Sequence, residues 1–256
     1  ILPVGSMLPW KRAKIANTMR PLWIVLVLTF AVAAMVWVVQ TERSLIAPIG
    51  AGLGTWLVFG AAVDLWQRTG RGSTRYRLGR VLRLPRADMG RVTAHAGLGI
   101  TFIGIAAMTA WQIEDIRVAT PGESFRVGAY DVTLVDVQQV EGPNYISTMA
   151  EMQIDRNGRD VATLFPEKRI YPVANMPTTE AAIDNGVFRD LYLVIGDPQG
   201  NGGWSVRTFV KPFANWIWAG AIIMSLGGLL SLTDRRFRVA AGARKTPKAT
   251  GGVPAE

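Results

Sequence analysis

The chain has 256 residues, 49% of them hydrophobic, with a formal charge of +9, one histidine and no cysteine. Without cysteine it forms no disulfide, thiolate metal site, iron–sulfur cluster or thiol nucleophile. With one histidine it builds no multi-histidine zinc site from its own residues.

Four uncharged apolar runs organise the chain: Leu22–Val39, Leu45–Val63, Val92–Ile113 and Pro212–Thr233, of 18, 19, 22 and 22 residues. As helices rising about 1.5 Å per residue, even the shortest reaches roughly 27 Å, close to the ~30 Å hydrocarbon layer of a bilayer. All four are predicted transmembrane helices. Residues 1–66 hold the first two, behind a basic segment with Lys11, Arg12, Lys14 and Arg20. The first run has the look of a secretory signal at Ala31-Val32-Ala33, but it stays apolar through Val39 and is read as a retained anchor. Trp23 and Trp37 suit its two interfaces. The second run carries Gly50, Gly52, Gly54 and Gly60, which favour close helix approach rather than a nucleotide loop. Asp64 at its end is expected to be a solvated boundary charge.

Residues 67–91 form an arginine-rich loop, with Arg68, Arg71, Arg75, Arg77, Arg80, Arg83, Arg86 and Arg91. Residues 234–256 are a basic tail expected to be disordered. By contrast, Glu114–Lys211 holds 14 acidic and 9 basic residues, a net charge of −5. This alternation fits the positive-inside rule, with both termini and the arginine loop cytoplasmic and residues 114–211 facing outward. Orientation and attraction to membrane lipid account for the arginines, so no nucleic-acid partner is expected.

The third run, 92–113, contains His95, and an ionisable group at membrane depth is by default a functional-site candidate. Its neighbours Ala94, Ala96, Gly97 and Gly99 are small. Two readings stand: an axial ligand with room for a flat macrocycle, or a histidine hydrogen-bonded to a neighbouring helix with glycines serving packing. Glu114-Asp115 is read as a solvated helix end.

The outward segment reads as all-β, with five or six strands in an OB-like small barrel or sandwich. Strands are predicted at Tyr130–Val140, Ile146–Ile154, Val161–Phe165, Leu191–Ile195 and Ser205–Val210, with a hairpin at Asn157-Gly158. A short helix is predicted from a cap at Thr178 or Thr179 to a stop at Asn185-Gly186. The fourth run, 212–233, carries Trp216 and Trp218 as interface anchors, with lining a cavity as their second reading. No residue pattern identifies a catalytic group. A membrane scaffold presenting a β domain for protein binding is therefore the rival to any enzymatic reading.

Three ordered blocks carry a family resemblance. One is Gly90-Arg91-Val92-Thr93-Ala94-His95-Ala96-Gly97. The second is Phe165-Pro166-Glu167-Lys168-Arg169-Ile170-Tyr171 with Thr178-Thr179-Glu180-Ala181-Ala182-Ile183 and Asp190-Leu191-Tyr192. The third is Trp204-Ser205-Val206-Arg207 with Lys211-Pro212-Phe213-Ala214-Asn215-Trp216-Ile217-Trp218-Ala219-Gly220, Gly227-Gly228 and Arg235-Arg236. Over residues 90–238 the chain resembles the C-terminal part of CcmF, the cytochrome c haem lyase family of bacterial cytochrome c-type biogenesis; the NrfE paralogues would look similar.

The resemblance implies a multi-pass protein of the bacterial inner membrane with its β domain in the periplasm. It implies ligation of substrate haem, brought by holo-CcmE, to apocytochrome c, in company with CcmH and CcmI-type subunits. It also implies a b-type haem in the membrane, with His95 at the position of one axial ligand to its iron. The family's second ligand, tryptophan-rich segment and outward histidines lie upstream, so the remaining N-terminal part of the haem lyase is a further expected partner. A chain opening on Ile1 is accordingly read as a fragment or one part of a split protein.

Overall fold

The computed structural model describes residues 2–7, 15–41, 43–70 and 72–234. Lys11, Arg12, Lys14, Arg71 and the tail from Arg235 onward, including the expected disordered stretch, lie outside them. The elements run α1 (Leu2–Met7), α2 (Ile15–Val39), α3 (Ile46–Arg68), α4 (Thr74–Val81) and α5 (Arg86–Trp111), then β1 (Ile113–Ala119) to β10 (Trp204–Pro212), then α6 (Ala214–Leu232).

Helices α2, α3, α5 and α6 are long and apolar enough to cross a membrane. They pack neighbour to neighbour in chain order, and α3 is the most enclosed. Small residues set the contacts. Gly50 of α3 meets Ala106 of α5, and Gly54 meets Gly99 and Ile103. Between α5 and α6 the backbones touch at seven-residue intervals, Gly90 against Gly227 and Gly97 against Gly220. A Cβ added at Gly97 would lie 2.5 Å from the Met224 nitrogen, so only glycine allows this approach.

The helix bounds differ from the apolar runs in several places. Helix α5 begins at Arg86, not Val92, because the Asp234 carboxylate accepts the Ala87 N–H at 2.9 Å and satisfies an open donor of its first turn. The arginine segment is not all loop: Arg75–Val81 wind into α4, where Arg77 and Arg80 bond back to Thr69.

The β domain has ten strands, not five or six. The others are β2 (Ser124–Val127), β3 (Tyr130–Glu141), β4 (Ile146–Arg156), β5 (Arg159–Leu164), β6 (Glu167–Tyr171), β7 (Met176–Glu180), β8 (Ala182–Asn185) and β9 (Arg189–Pro198). One antiparallel sheet runs β1-β10-β9-β8, the other β2-β3-β4-β6-β7 with β5 also paired to β4. Between them lies a core of Val132, Leu134, Met152, Ile154, Leu191, Leu193, Ile195 and Val206. The Asn157-Gly158 hairpin joins β4 to β5 with both residues at positive φ, 53° and 72°.

The short helix predicted at 178–185 is absent; those residues lie in β7 and β8. β7 pairs with β6 and β8 with β9. Asn185-Gly186, expected to stop a helix, opens the β8–β9 turn instead, where the Gly186 N–H donates to Asp190 at 3.1 Å. Backbone pairing in two sheets outweighs local capping signals at Thr178 and Glu180. Ile113, expected at the end of the third span, starts β1 opposite Val210.

Candidate functional site

His95 lies on α5 between two contacts with α3. One turn away in one direction, Gly99 packs on Val58 and the Gly54 carbonyl; one turn in the other, Arg91 reaches Asp64. The histidine is half-buried, and among the described residues its ring has no hydrogen-bond partner.

The small residues around it are accounted for by packing. Ala94 and Gly97 close against α6, and Gly99 against α3. They hold three helices together and do not by themselves mark room for a macrocycle. What singles out His95 is an unpartnered imidazole in an apolar helix, where a polar group without a partner is costly.

Beside it lies an ion cluster that the sequence reading missed. Asp64 is not a solvated boundary charge; it is 3% exposed. Its oxygens accept from Arg68 Nε at 2.9 Å and Arg91 Nη2 at 3.3 Å. Asp88 accepts from the same two arginines, Arg68 at 2.9 Å and Arg91 at 3.3 Å. Such a cluster survives burial because each carboxylate has two guanidinium partners. The available signal was the placing of Asp64 and Arg91 at the facing ends of two apolar runs.

At the opposite end, the β domain is fastened to α6. Asn215 donates from Nδ2 to the Gly186 carbonyl at 2.9 Å and to Asp190 Oδ1 at 3.0 Å. Trp216 Nε1 donates to the Val187 carbonyl at 2.9 Å, so Trp216 ties loop to helix. Phe213 stacks edge-on against Phe188 and Trp216 while its φ of 55° turns the chain from strand to helix. Trp218 is 72% exposed, as an interface anchor would be, and also lines a cavity of about 370 Å³ with Tyr192, Lys211 and Asp190. Both readings of Trp218 are thus compatible with its position.

Glu114 and Asp115 are strand residues, not a helix end. Glu114 pairs with Arg207 across β1–β10, and Asp115 with Arg117, whose bond holds the Asp115 carboxyl below its ordinary range. Among the described residues no three His, Asp or Glu side chains gather as a metal-chelating set. His95 belongs to no such group.

Comparison with known proteins supplies a frame. The family model described as the CcmF C-terminal β-sandwich matches residues 110–212. A cytochrome c-type biogenesis protein, ccl1 of Rhodobacter capsulatus, is 60% identical over 96% of this chain and 37% of its own length. CcmF of Escherichia coli is 34% identical over 96% of this chain and 37% of its own length. NrfE of Haemophilus influenzae is 34% identical over 72% of this chain and 27% of its own length. A solved structure titled cytochrome c heme lyase CcmF superposes with a TM-score of 0.68 at 23% identity, over 91% of this chain and 37% of that one, a likeness of fold. The chain thus spans between about a quarter and a little over a third of the length of these relatives.

Proposed function

We propose, because this chain corresponds to the C-terminal part of the CcmF family, that it acts in cytochrome c-type biogenesis as the membrane-anchored C-terminal region of a haem lyase. His95 is assigned as one axial ligand of a b-type haem. The observation that carries this assignment is the half-buried imidazole with no hydrogen-bond partner among the described residues. Bound there, a b-type haem would supply one-electron chemistry. The chain's own part is to present the imidazole from α5, held against α3 and α6 by glycine contacts and by the Asp64–Arg91 pair. One histidine gives half of a bis-histidine site, so the second ligand belongs to the rest of the haem lyase.

The β-sandwich faces the periplasm in this reading, and the arginine segment the cytoplasm. The charge alternation along the sequence supports that orientation. The periplasmic face then meets holo-CcmE carrying substrate haem, apocytochrome c and the CcmH and CcmI-type subunits. The membrane is the bacterial inner membrane.

A dithionite-reduced absorption spectrum of the full-length protein tests the ligand. Wild type shows b-type haem bands and His95→Ala loses or shifts them. Unchanged bands in the variant remove His95 from the site. No bands in wild type leave the rival reading, a membrane scaffold displaying a β domain. A reporter fused within residues 72–85 gives a cytoplasmic signal; a periplasmic one reverses the topology.

A further inference from the structure

At the end of the helix bundle away from the β domain, α4 and the end of α3 enclose a cavity of about 530 Å³. Its walls include Arg68, Arg75, Tyr76, Arg80 and Arg83. Residues 67–91 hold eight arginines and a single carboxylate, Asp88. Asp88 and Asp64 are both engaged by Arg68 and Arg91, two charges of each sign. Among the described residues the other arginines of the cavity pair with no carboxylate. Arg80 donates to the Thr69 carbonyl at 3.1 Å and lies 4.6 Å over the Tyr76 ring, which fixes its guanidinium without neutralising it. The side chains of Arg75 and Arg83 have no ion pair, hydrogen bond or ring contact among the described residues. Three positive charges thus converge on one hollow, and among the described residues none of the three has a carboxylate partner. Guanidinium groups so placed select a phosphate, which they hold by charge and by paired hydrogen bonds.

The surroundings narrow the source of that phosphate. The cavity lies where α3 ends at Arg68 and α5 begins at Arg86, the ends of two membrane-length helices and so the level of lipid headgroups. Outside the cavity lining, Leu78 of α4 is 58% exposed and Leu82, which caps the helix end, is 89% exposed. A soluble phosphate would fill the cavity and leave those leucines in water. A phospholipid offers an anion to the arginines and acyl chains to the leucines. We propose that this cavity binds the phosphate of an anionic phospholipid, with α4 lying in the membrane interface. The proposal rests on the membrane reading of the helices and not on His95.

The test compares wild-type full-length protein with Arg75→Gln/Arg83→Gln in nanodiscs of phosphatidylcholine and phosphatidylglycerol. Bound lipid is counted by native mass spectrometry after release from the disc. Wild type retains phosphatidylglycerol over phosphatidylcholine, and the double variant loses about thirtyfold in affinity, the equivalent of about 2 kcal/mol for two interfacial basic residues. Leu82→Gln keeps every arginine; it lowers lipid retention several-fold and leaves binding of inorganic phosphate unchanged. Equal retention by wild type and the double variant overturns the site. Binding of inorganic phosphate that the double variant loses, with no lipid retained by wild type, assigns the cavity to a free anion and overturns the lipid. Matching far-ultraviolet circular dichroism of the variants keeps a folding defect from posing as either result.

Discussion

The helix bundle and the β-sandwich are built on opposite rules. In the sandwich the buried residues are large: Leu134, Met152, Ile154, Leu191, Leu193 and Ile195 are fully enclosed between the sheets. In the bundle Leu22, Val25, Val36, Leu57 and Val92 are buried too, but most buried positions go to small residues, Ala47, Ala51, Ala61, Ala106, Ala107 and Ala110, with glycines at the helix crossings. The large side chains point out instead: Phe30 is 66%, Val38 is 78% and Leu232 is 77% exposed. Water drives big apolar groups inward, whereas lipid gives no such drive and rewards close backbone contact. The same side chain is therefore core in one half of the molecule and surface in the other.

Substitutions can break this contrast, and the largest effect is expected at a helix crossing. Gly97→Leu puts a side chain where even a Cβ meets the α6 backbone at 2.5 Å. Separation of α5 from α6 is expected, at a cost of about 4 kcal/mol or more. Thermal unfolding of the full-length protein in detergent checks it, and a melt like that of wild type would refute the packing scheme. The reverse change belongs to the sandwich: Ile154→Ala removes a fully buried side chain and should cost about 2–5 kcal/mol. Faster proteolysis of residues 114–211 in the variant reports it, while a Phe30→Ala change on the lipid face leaves the rate alone.

The joint between the halves comes next. Asn215→Ala removes two hydrogen bonds, one of them to the Asp190 carboxylate, and should cost about 1–2 kcal/mol. Hydrogen exchange should quicken in residues 185–190 and at the start of α6, not in the sandwich core. Uniform protection throughout would show that Asn215 does not fasten the two.

The smallest effect is a pH dependence confined to the sandwich. The Glu167 carboxyl is held below its ordinary range by the Arg169 guanidinium, with the Ser147 hydroxyl adding a second bond. Its folded-state pKa is depressed, so its contribution is present above the usual carboxylate value near pH 4.3 and is lost as pH falls through the folded value. The pair is exposed to solvent, which screens it, so its contribution is small. Acid titration of wild type against Glu167→Gln should show the variant lacking this acid-side loss of stability. An identical slope would remove Glu167 from it.

How much of this was legible beforehand depends on the range of the interaction. The membrane helices, the Asn157-Gly158 hairpin and the suspicion attached to His95 could be read from runs, turns and a single misplaced residue type, because each is a local signal. The sequence of β7 and β8 carries helix-capping signals, which are local, whereas the strands they pair with, β6 and β9, are not adjacent in local pattern and decide the outcome. Asp64 looked like a boundary charge until Arg91, 27 residues on, was folded over it. The glycines of the His95 block were legible as small, but not as the surfaces on which α3 and α6 rest. By itself the sequence determined which segments can enter a membrane, that the segment between the third and fourth of them is rich in strand, and that the chain holds one histidine. Only the tertiary structure decided which side chains meet, because helix crossings, sheet pairing and ion clusters arise between segments whose separation along the chain carries no record of their contact.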